Sequence, residues 1–170
     1  MEVYDAIMTR RSIRKFSDKP VAKKLLKMLL EAAMNAPSAS DARPWHFVLV
    51  DDKAKLNLLA KDIDEDNNLF KEAQAAILIC GNESLEKFKG FWPQDCSCAA
   101  QNLQLAAHGL GLGTVWIAIY SIPSRIEGCR KILGVPGNLE PFAIFPIGYP
   151  SEFLEPEYRY DKSMIQNNGW

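Results

Sequence analysis

A cluster of basic residues near the amino terminus is the part of this sequence best suited to bind an anion. The run RRSIRK supplies Arg10, Arg11, Ser12, Arg14 and Lys15. A guanidinium donates forked hydrogen bonds that match two phosphate oxygens, and it stays charged at any accessible pH. Most charge runs are solvated helix ends, so the cluster by itself also fits that simpler interpretation. A second unusual segment, NAPSASDARPWHF, follows one helix later and favours a defined ligand site.

The overall charge argues against a broad surface for nucleic acid or an anionic membrane. The formal net charge is -1 and the pI is near 6.1, whereas such surfaces are strongly basic. We therefore expect a local pocket for a small molecule. Lys87, Phe88, Lys89, Phe91 and Trp92 mix cations with aromatic rings. This mixture could bind single-stranded nucleic acid, but we favour a flexible lid over a substrate pocket.

Residues for hydrolysis, acyl transfer or metal binding are not evident in the sequence. His46 and His108 have no partner at metal-ligand spacing, and Cys96 and Cys98 would point in different directions on a helix. There is also no GxSxG motif. A redox reaction at a bound cofactor needs none of these groups, because the cofactor carries the electrons and the protein supplies position and electrostatic field.

The glycine-rich run GLGLGT, residues 109–114, lies at the end of a predicted helix and leads into a strand. Nucleotide-binding glycine loops have the opposite order, so that the phosphate meets a helix N-terminus. We therefore predict a helix cap and a tight turn, followed by a strand whose backbone can approach a flat ligand.

The hydrophobic pattern predicts one domain over residues 1–170, with 48% hydrophobic residues to form its core. Helices are expected at residues 3–10, 21–35, 54–61, 94–110 and 123–134, and strands at residues 47–50, 75–80, 114–119 and 143–149. The strand segments are continuously apolar, which predicts a sheet covered on both faces. Pro37 should end the second helix, and Pro146 suggests a bulge or an edge position.

Two segments suggest contacts with a second subunit. Residues 96–110 are small and mostly uncharged, which is typical of a helix buried on most sides, and a chain of 170 residues seldom buries one helix all round by itself. Residues 150–170 carry prolines and aromatic rings without a regular period, which suits an extended arm laid over a partner. A self-packed tail is the open alternative. The first helix also places four apolar residues on one face: Val3, Tyr4, Ile7 and Met8.

Targeting signals and disulfide patterns are not apparent. The amino terminus is acidic where a signal peptide would be basic, and no apolar run approaches the roughly 18 residues of a membrane span. The four cysteines lack CxxC spacing and the density of a secreted scaffold. We therefore expect a cytoplasmic protein with reduced thiols.

Taken together, these segments resemble the FMN-dependent nitroreductase family in its short-chain form. The resemblance is carried by an ordered set that spans nearly the whole chain: RRSIRKF, APSASDARPWHFVLV, GLGTVWIAIY, FAIFPIGYP and RYDKSMI. It implies an α+β nitroreductase-like fold with a central, mostly antiparallel sheet flanked by helices. It also implies a homodimer that exchanges its C-terminal arms, residues 150–170, and binds FMN at two sites in the subunit interface.

The resemblance further implies roles for individual residues. The FMN phosphate would be held by Arg10, Arg11, Ser12, Arg14 and Arg159. The segment of Pro37, Ser38 and Ala39 would run under the isoalloxazine ring of the other subunit. The backbone of Ile117, Ala118 and Ile119 would approach the reactive edge of the ring.

Two positions depart from the family pattern, because Asp41 and Arg43 stand where Asn and Gln are common. An ionised Asp41 can only accept hydrogen bonds, so it would pair either with the imide N–H of the flavin or with Arg43. We hypothesise that Arg43 lies near the pyrimidine end of the ring and stabilises its anionic reduced form.

The function that the resemblance implies is hydride transfer from NADH or NADPH to FMN, and then electron transfer to a nitroaromatic, a quinone or an activated alkene. The flavin would be the catalytic group, and no metal would be required. Three alternatives stay open at this point. The protein could be an enzyme of the same fold that dehalogenates or cleaves flavin, a non-catalytic FMN-binding electron carrier, or a phosphate-binding or nucleic-acid module without flavin.

Overall fold

An antiparallel sheet with helices on both faces forms the centre of the protein in the computed structural model, which describes residues 1–63 and 68–170. The helices are α1 (Val3–Thr9), α2 (Lys23–Met34), α3 (Lys53–Asp62), α4 (Leu69–Glu72), α5 (Trp92–Gly109) and α6 (Pro123–Leu133). The strands are β1 (Trp45–Val50), β2 (Ala75–Gly81), β3 (Gly113–Thr114), β4 (Ile117–Ala118) and β5 (Glu140–Gly148). Single-turn 3₁₀ helices lie at Ala39–Asp41, Glu83–Leu85 and Lys162–Met164.

The sheet has the order β1-β2-β5-β3, and β4 also pairs with β5. Each of these pairings is antiparallel, which confirms the expected α+β architecture. Alternate residues of β2 face two separate cores: Ile77 and Ile79 face one, and Leu78 and Cys80 face the other. The two central strands are therefore covered on both faces, as their continuous apolar runs predict.

The edge strand β1 departs from that prediction. The exposure of its side chains varies along the strand without a regular period, and the side chain of Leu49 is 40% exposed. Complete coverage of both faces is therefore wrong for this strand in a single protomer, because no described element covers its outer side chains.

Pro146 explains why the single strand predicted at residues 114–119 is observed as β3 and β4. Both strands pair with β5 in the same register, through Thr114 with Ile147 and Ile117 with Ile144, so the break between them lies opposite Pro146. The Ile147 carbonyl accepts a hydrogen bond from Gln74 on the β2 side, so the backbone of Pro146 faces the broken strand. Proline has no N–H to complete that ladder. Pro146 thus lies in a central strand, and the expected edge position was wrong.

Two helical layers cover the sheet, but each leaves apolar or small residues at the surface. In one layer α2 packs on α5, and in the other α3, α4 and α6 surround Phe70. Helix α5 is buried or half-buried on most of its sides and exposes a stripe that includes Cys98 and Gln101, which confirms the prediction of burial on most sides. The apolar face of α1 also points outward, with Val3 74% and Tyr4 70% exposed.

The last twenty residues lie across the surface as an extended segment. Residues 151–170 contain one 3₁₀ turn and are almost all exposed. Their aromatic side chains have little cover, with Phe153 78% and Tyr158 75% exposed. The arm nevertheless contacts its own protomer, because Glu152 accepts from Arg14 N and Arg11 donates to the Glu155 carbonyl, and its exchange with a partner stays a prediction. Among the helices described, none has the length and apolar character needed to cross a membrane.

Substitution of Gly81 tests the packing between β2 and the start of α5. A Cβ atom at Gly81 would lie 2.0 Å from Trp92 Cε3, and the Trp92 ring is itself held edge-on by Tyr120 and Phe142. We expect Gly81→Ala to lower the free energy of unfolding by about 1–3 kcal/mol or more, as overpacking does. The measurement is urea denaturation. Gly109→Ala is the matched control, because nothing lies within 4 Å of its added Cβ, and it should leave stability unchanged or slightly higher. Equal effects of the two changes would contradict the packing argument.

Candidate functional site

Five of the basic and polar residues predicted to bind phosphate line one cavity of about 230 Å³. These five residues come from both ends of the chain: Arg10, Arg11, Ser12, Arg14 and Arg159. Leu154 also lines the cavity. The arm brings Arg159 to the cluster, although almost 150 residues separate them in sequence. The structure therefore assembles the predicted anion site within one protomer.

The electrostatics of this cavity are unfavourable for its cations. Arg10 Nη1 is buried, and it has no hydrogen-bond partner in the part of the chain that the structure describes. Burial lowers the pKa of Arg10, and the nearby charges of Arg159 and Arg11 lower it further. Buried cations are normally paired, so this arrangement favours a negatively charged ligand with several acceptor oxygens.

Two carboxylates from distant parts of the chain bond the backbone of this basic segment. Glu152 Oε1 accepts hydrogen bonds from Arg14 N at 2.6 Å and Lys15 N at 3.2 Å, and Glu72 Oε2 accepts from Phe16 N at 3.2 Å. Sequence reasoning did not identify either carboxylate, because no local motif links residues so far apart. Since these two acids bond main-chain N–H groups, they do not neutralise the guanidiniums of the segment.

The C-terminal arm, residues 150–170, contacts the arginine cavity through hydrogen bonds that a ligand could replace. Arg11 Nη1 donates to the carbonyl of Glu155, and Arg159 Nη2 donates to Glu157 at 2.7 Å. The Arg159 guanidinium is the main reason that the pKa of Glu157 is lowered. Both side chains of that pair are more than half exposed. Exposed pairs of this kind contribute little to stability, so a phosphate could replace Glu157 as the partner of Arg159.

The glycine run after α5 forms the predicted cap and turn. Gly111 has a φ of 76°, its N–H bonds the carbonyl of His108, and Leu112 N bonds the carbonyl of Ala107 at 2.8 Å. These two bonds define a Schellman cap, which requires a left-handed residue such as glycine. Gly113 then allows close contact with the basic segment, since a Cβ there would lie 2.7 Å from Ile13.

The second predicted segment, residues 37–43, has an unusual backbone. Ser40, Asp41 and Arg43 have φ values of 50°, 54° and 46°, which are uncommon for residues with a Cβ. Arg43 N donates to Ser38 Oγ at 2.9 Å, and the Arg43 guanidinium donates two bonds to the Asp41 carboxylate. Asp41 thus pairs with Arg43, one of the two expected alternatives, and this pairing raises the pKa of Arg43.

This segment and the arginine cavity lie at opposite ends of α5. Ala39 N donates a hydrogen bond to the Asp95 carboxylate in the first turn of the helix. In the last turn, His108 contacts Thr9, and burial and the nearby charge of Arg10 lower the pKa of His108. The 13 residues between Asp95 and His108 span about 20 Å of helix. One protomer therefore brings the phosphate residues together but leaves residues 37–43 remote from them.

Strand β4 lies between these ends. Ala118 is exposed and Ile117 is half-buried, but the side chain of Ile119 is fully buried and its N–H bonds Phe142. Of the three residues predicted to approach the ring, Ile117 and Ala118 thus offer accessible surface.

The predicted lid is an ordered turn at the start of α5. Glu86 Oε2 accepts hydrogen bonds from Gly90 N at 2.9 Å and Trp92 N at 3.3 Å, which ties the turn to the helix. The rings of Phe88 and Phe91 lie 5.5 Å apart, tilted by 50°, and are 52% and 40% exposed. The segment therefore presents aromatic surface next to the start of α5, and its role as a flexible lid stays a prediction. Within the described residues no group of three or more His, Cys, Asp or Glu could hold a metal ion.

His108 provides a test of anion binding in the arginine cavity. Thr9 Oγ1 donates to Asp5 O, so it accepts from His108 Nε2 at 2.8 Å. Burial and then Arg10 lower the pKa of His108 below its ordinary 6.5. The unfolded chain binds this proton more readily, so stability should fall as the pH drops below 6.5 toward the folded-state pKa. Phosphate beside Arg10 should raise the His108 pKa, because it offsets the Arg10 charge.

The measurement is an NMR titration of the His108 ring with inorganic phosphate or with chloride at equal ionic strength. A His108→Gln variant identifies the resonance. In Arg10→Gln, phosphate should have no effect on the titration. An identical His108 pKa with and without phosphate in the wild-type protein would contradict anion binding at this cavity.

Comparison with known proteins places this geometry in a family. The sequence model of the Nitroreductase family matches residues 7–91 and 63–149. A protein of Methanothermobacter thermautotrophicus, provisionally named NADH dehydrogenase/NAD(P)H nitroreductase, is 44% identical over 170 residues, which cover 100% of this chain and 88% of that protein. The solved structure of an FMN-dependent nitroreductase of Clostridium difficile superposes with a TM-score of 0.89 at 33% identity, over 98% of this chain and 99% of that one. An iodotyrosine deiodinase of Haliscomenobacter hydrossis is 27% identical, over 96% of this chain and 87% of its own. This chain belongs to the nitroreductase family.

Proposed function

We propose that the protein is an FMN-dependent oxidoreductase that takes a hydride from NADH or NADPH and passes electrons to a small acceptor. Nitroaromatics, quinones and activated alkenes are the acceptor classes. The observation that carries this proposal is the cavity in which four arginines converge while Arg10 Nη1 is buried and, among the described residues, unpartnered. A phosphate supplies both the negative charge and the acceptor oxygens that this set lacks. The FMN-dependent relative supports FMN as the ligand that bears the phosphate.

The residues of this chain would bind and orient the cofactor, whose ring supplies hydride-accepting chemistry when it is bound. The arginine cavity would hold the phosphate, and β3 and β4 lead away from it. The four residues from Thr114 to Ala118 span about 13 Å of extended chain. Ala118, which is exposed, would then border the ring. Solvent can protonate the products, so no protein acid or base is required, and both substrates would use the same open face in turn by a ping-pong mechanism.

A second copy of the chain would complete the site. Residues 37–39 lie at the far end of α5 from the arginine cavity of their own protomer, and the arm and the apolar face of α1 are exposed. A homodimer with exchanged arms would cover these apolar surfaces, and residues 37–39 of one protomer could then lie against the ring bound by the other.

Reductive dehalogenation is the second candidate, because the family includes the deiodinase relative. The aromatic turn with Phe88 and Phe91 is the part of the described chain suited to select between a halogenated aromatic and a nitroaromatic. A non-catalytic electron carrier would share the cofactor site but exclude nicotinamide.

Loss of the Arg14 side chain tests cofactor binding separately from folding. Arg14 is exposed, and its backbone bond to Glu152 does not depend on the side chain. We expect Arg14→Ala to raise the Kd for FMN by about 10- to 100-fold, the range for hydrogen bonds to charged groups. The thermal midpoint of the apoprotein should barely change. FMN titration by fluorescence quenching and thermal unfolding are the two measurements.

Lys27→Ala is the matched control, because this exposed cation lies on α2 and pairs with Glu31. A wild-type protein that binds no FMN would refute the proposal. Equal loss of FMN affinity and of folding stability in Arg14→Ala would refute the assignment of this residue to the site.

Anaerobic rapid mixing distinguishes the candidate reactions. With NADH or NADPH, the flavin absorbance of the holoprotein should bleach, and a nitroaromatic or quinone should then restore it. An electron carrier closed to nicotinamide would show no bleaching. Faster recovery with an iodinated phenol than with a nitroaromatic would favour dehalogenation over the main proposal. The apoprotein with NADH provides the baseline.

A further inference from the structure

We propose that Asp95 is a positioning residue that anchors residues 37–43 in their strained conformation and thereby sets the place of the flavin ring in the partner's site. The second half of this inference rests on the proposed function. The carboxylate lies in the first turn of α5 and is 4% exposed. Its Oδ1 accepts a hydrogen bond from Ala39 N at 2.9 Å.

The segment needs an anchor because its backbone is strained. Ser40, Asp41 and Arg43 all adopt left-handed φ values within four positions, and none is glycine. Conformations of this kind persist only where surrounding contacts over-determine them, and they gather at ligand sites. Without such contacts the segment would relax to ordinary turn geometry.

Most hydrogen bonds of the segment cannot supply this constraint, because they are local. Arg43 N bonds Ser38, Asp41 N bonds the carbonyl of Ser38, and the Arg43 guanidinium bonds Asp41. The Arg43 and Asp41 side chains are 64% and 70% exposed, so this pair is weak. The bond from Ala39 to Asp95 is different, because it ties the segment to the buried face of α5.

The second carboxylate oxygen of Asp95 indicates that this residue has a role beyond packing. Its Oδ2 is buried, and no partner for it is present in the residues that the structure describes. A buried carboxylate without a cation is unfavourable, so its presence calls for a specific role. The start of α5 offsets part of this penalty through its helix dipole. The same turn is held rigidly, because Trp92 packs edge-on against Tyr120 at 4.8 Å.

Two substitutions separate the hydrogen bond from the charge. Asp95→Asn keeps an acceptor oxygen for Ala39 N and removes the charge, whereas Asp95→Ala removes both. Ser97→Ala is the matched control, because its hydroxyl bonds only Pro93 within α5 in the described contacts. Far-UV circular dichroism and thermal unfolding establish that each variant folds.

The first measurement is hydrogen exchange of the Ala39 amide in the apoprotein, which needs no flavin. In Asp95→Ala this amide should exchange about 10- to 100-fold faster, the range for one hydrogen bond to a charged group. It should change little in Asp95→Asn and Ser97→Ala. The second measurement is the Kd for FMN, which should rise about tenfold in Asp95→Ala and recover to within about threefold of wild type in Asp95→Asn.

Several results would overturn the inference. An Ala39 amide that is no better protected than that of Ser40 in the wild-type protein would remove the anchor, even if no variant folds. An unchanged Ala39 exchange rate in Asp95→Ala would do the same. Faster exchange with unchanged FMN affinity would refute the effect on the flavin. If the wild-type protein binds no FMN, the proposed function fails and the flavin half of the inference fails with it, whereas a protected Ala39 amide would still support the anchor.

Discussion

Repulsion among guanidiniums at one end of α5 is the constraint on which the rest of the site depends. Arg10 is half-buried beside Arg11 and Arg159, and its lowered pKa records the unfavourable environment. Such a cluster holds together only if the backbone that carries it is fixed by other contacts. The bonds from Ile13 N to Thr114 and from Ser17 N to Tyr149 attach it to β3 and to the end of the sheet. The fold thus holds the cations close together through bonds to the backbone that carries them.

The carboxylates of Glu152 and Glu72 bond the backbone of this cluster, so they leave the positive charge of its guanidiniums unneutralised. If Glu152 or Glu72 formed ion pairs with the arginines, the positive charge of the cavity would be neutralised. Instead each carboxylate accepts from main-chain N–H groups of residues 14–16. The exposed pair of Arg159 with Glu157 is the exception, and its exposure makes it easy to exchange.

Sequence patterns predicted most elements of the fold and which residues line the arginine cavity, because both depend on residue type and local spacing. The basic run RRSIRK and the Schellman cap at Gly111 are of this kind. The roles of Glu152, Glu72 and Asp95 were missed, because each is a contact between distant segments that leaves no local pattern. The outward face of α1 was not anticipated either, since periodicity shows that a helix has an apolar face but not what covers it.

The separation of β3 from β4 shows the same limit of sequence-based prediction in the sheet. The sequence indicates that Pro146 disturbs strand pairing, but the strand that is broken is the neighbouring one. The register of β3 and β4 on β5 is needed to identify it. The predicted roles of Ile117, Ala118, Ile119 and Arg43 toward the ring stay predictions.

The titratable groups of the chain are suited to position a ligand and poorly suited to react with one. Burial raises the pKa of Cys80 and Cys129 to about 12 and also raises that of Cys96, so these thiols are held in their unreactive protonated form. The groups that line the cavity include four arginines, and the nearby carboxylates of Glu152 and Glu72 are bonded to the backbone. A protein that arranges cations at one end of α5 and a strained, anchored turn at the other can bind and orient a phosphorylated cofactor. The reaction itself then depends on the chemistry that the cofactor brings.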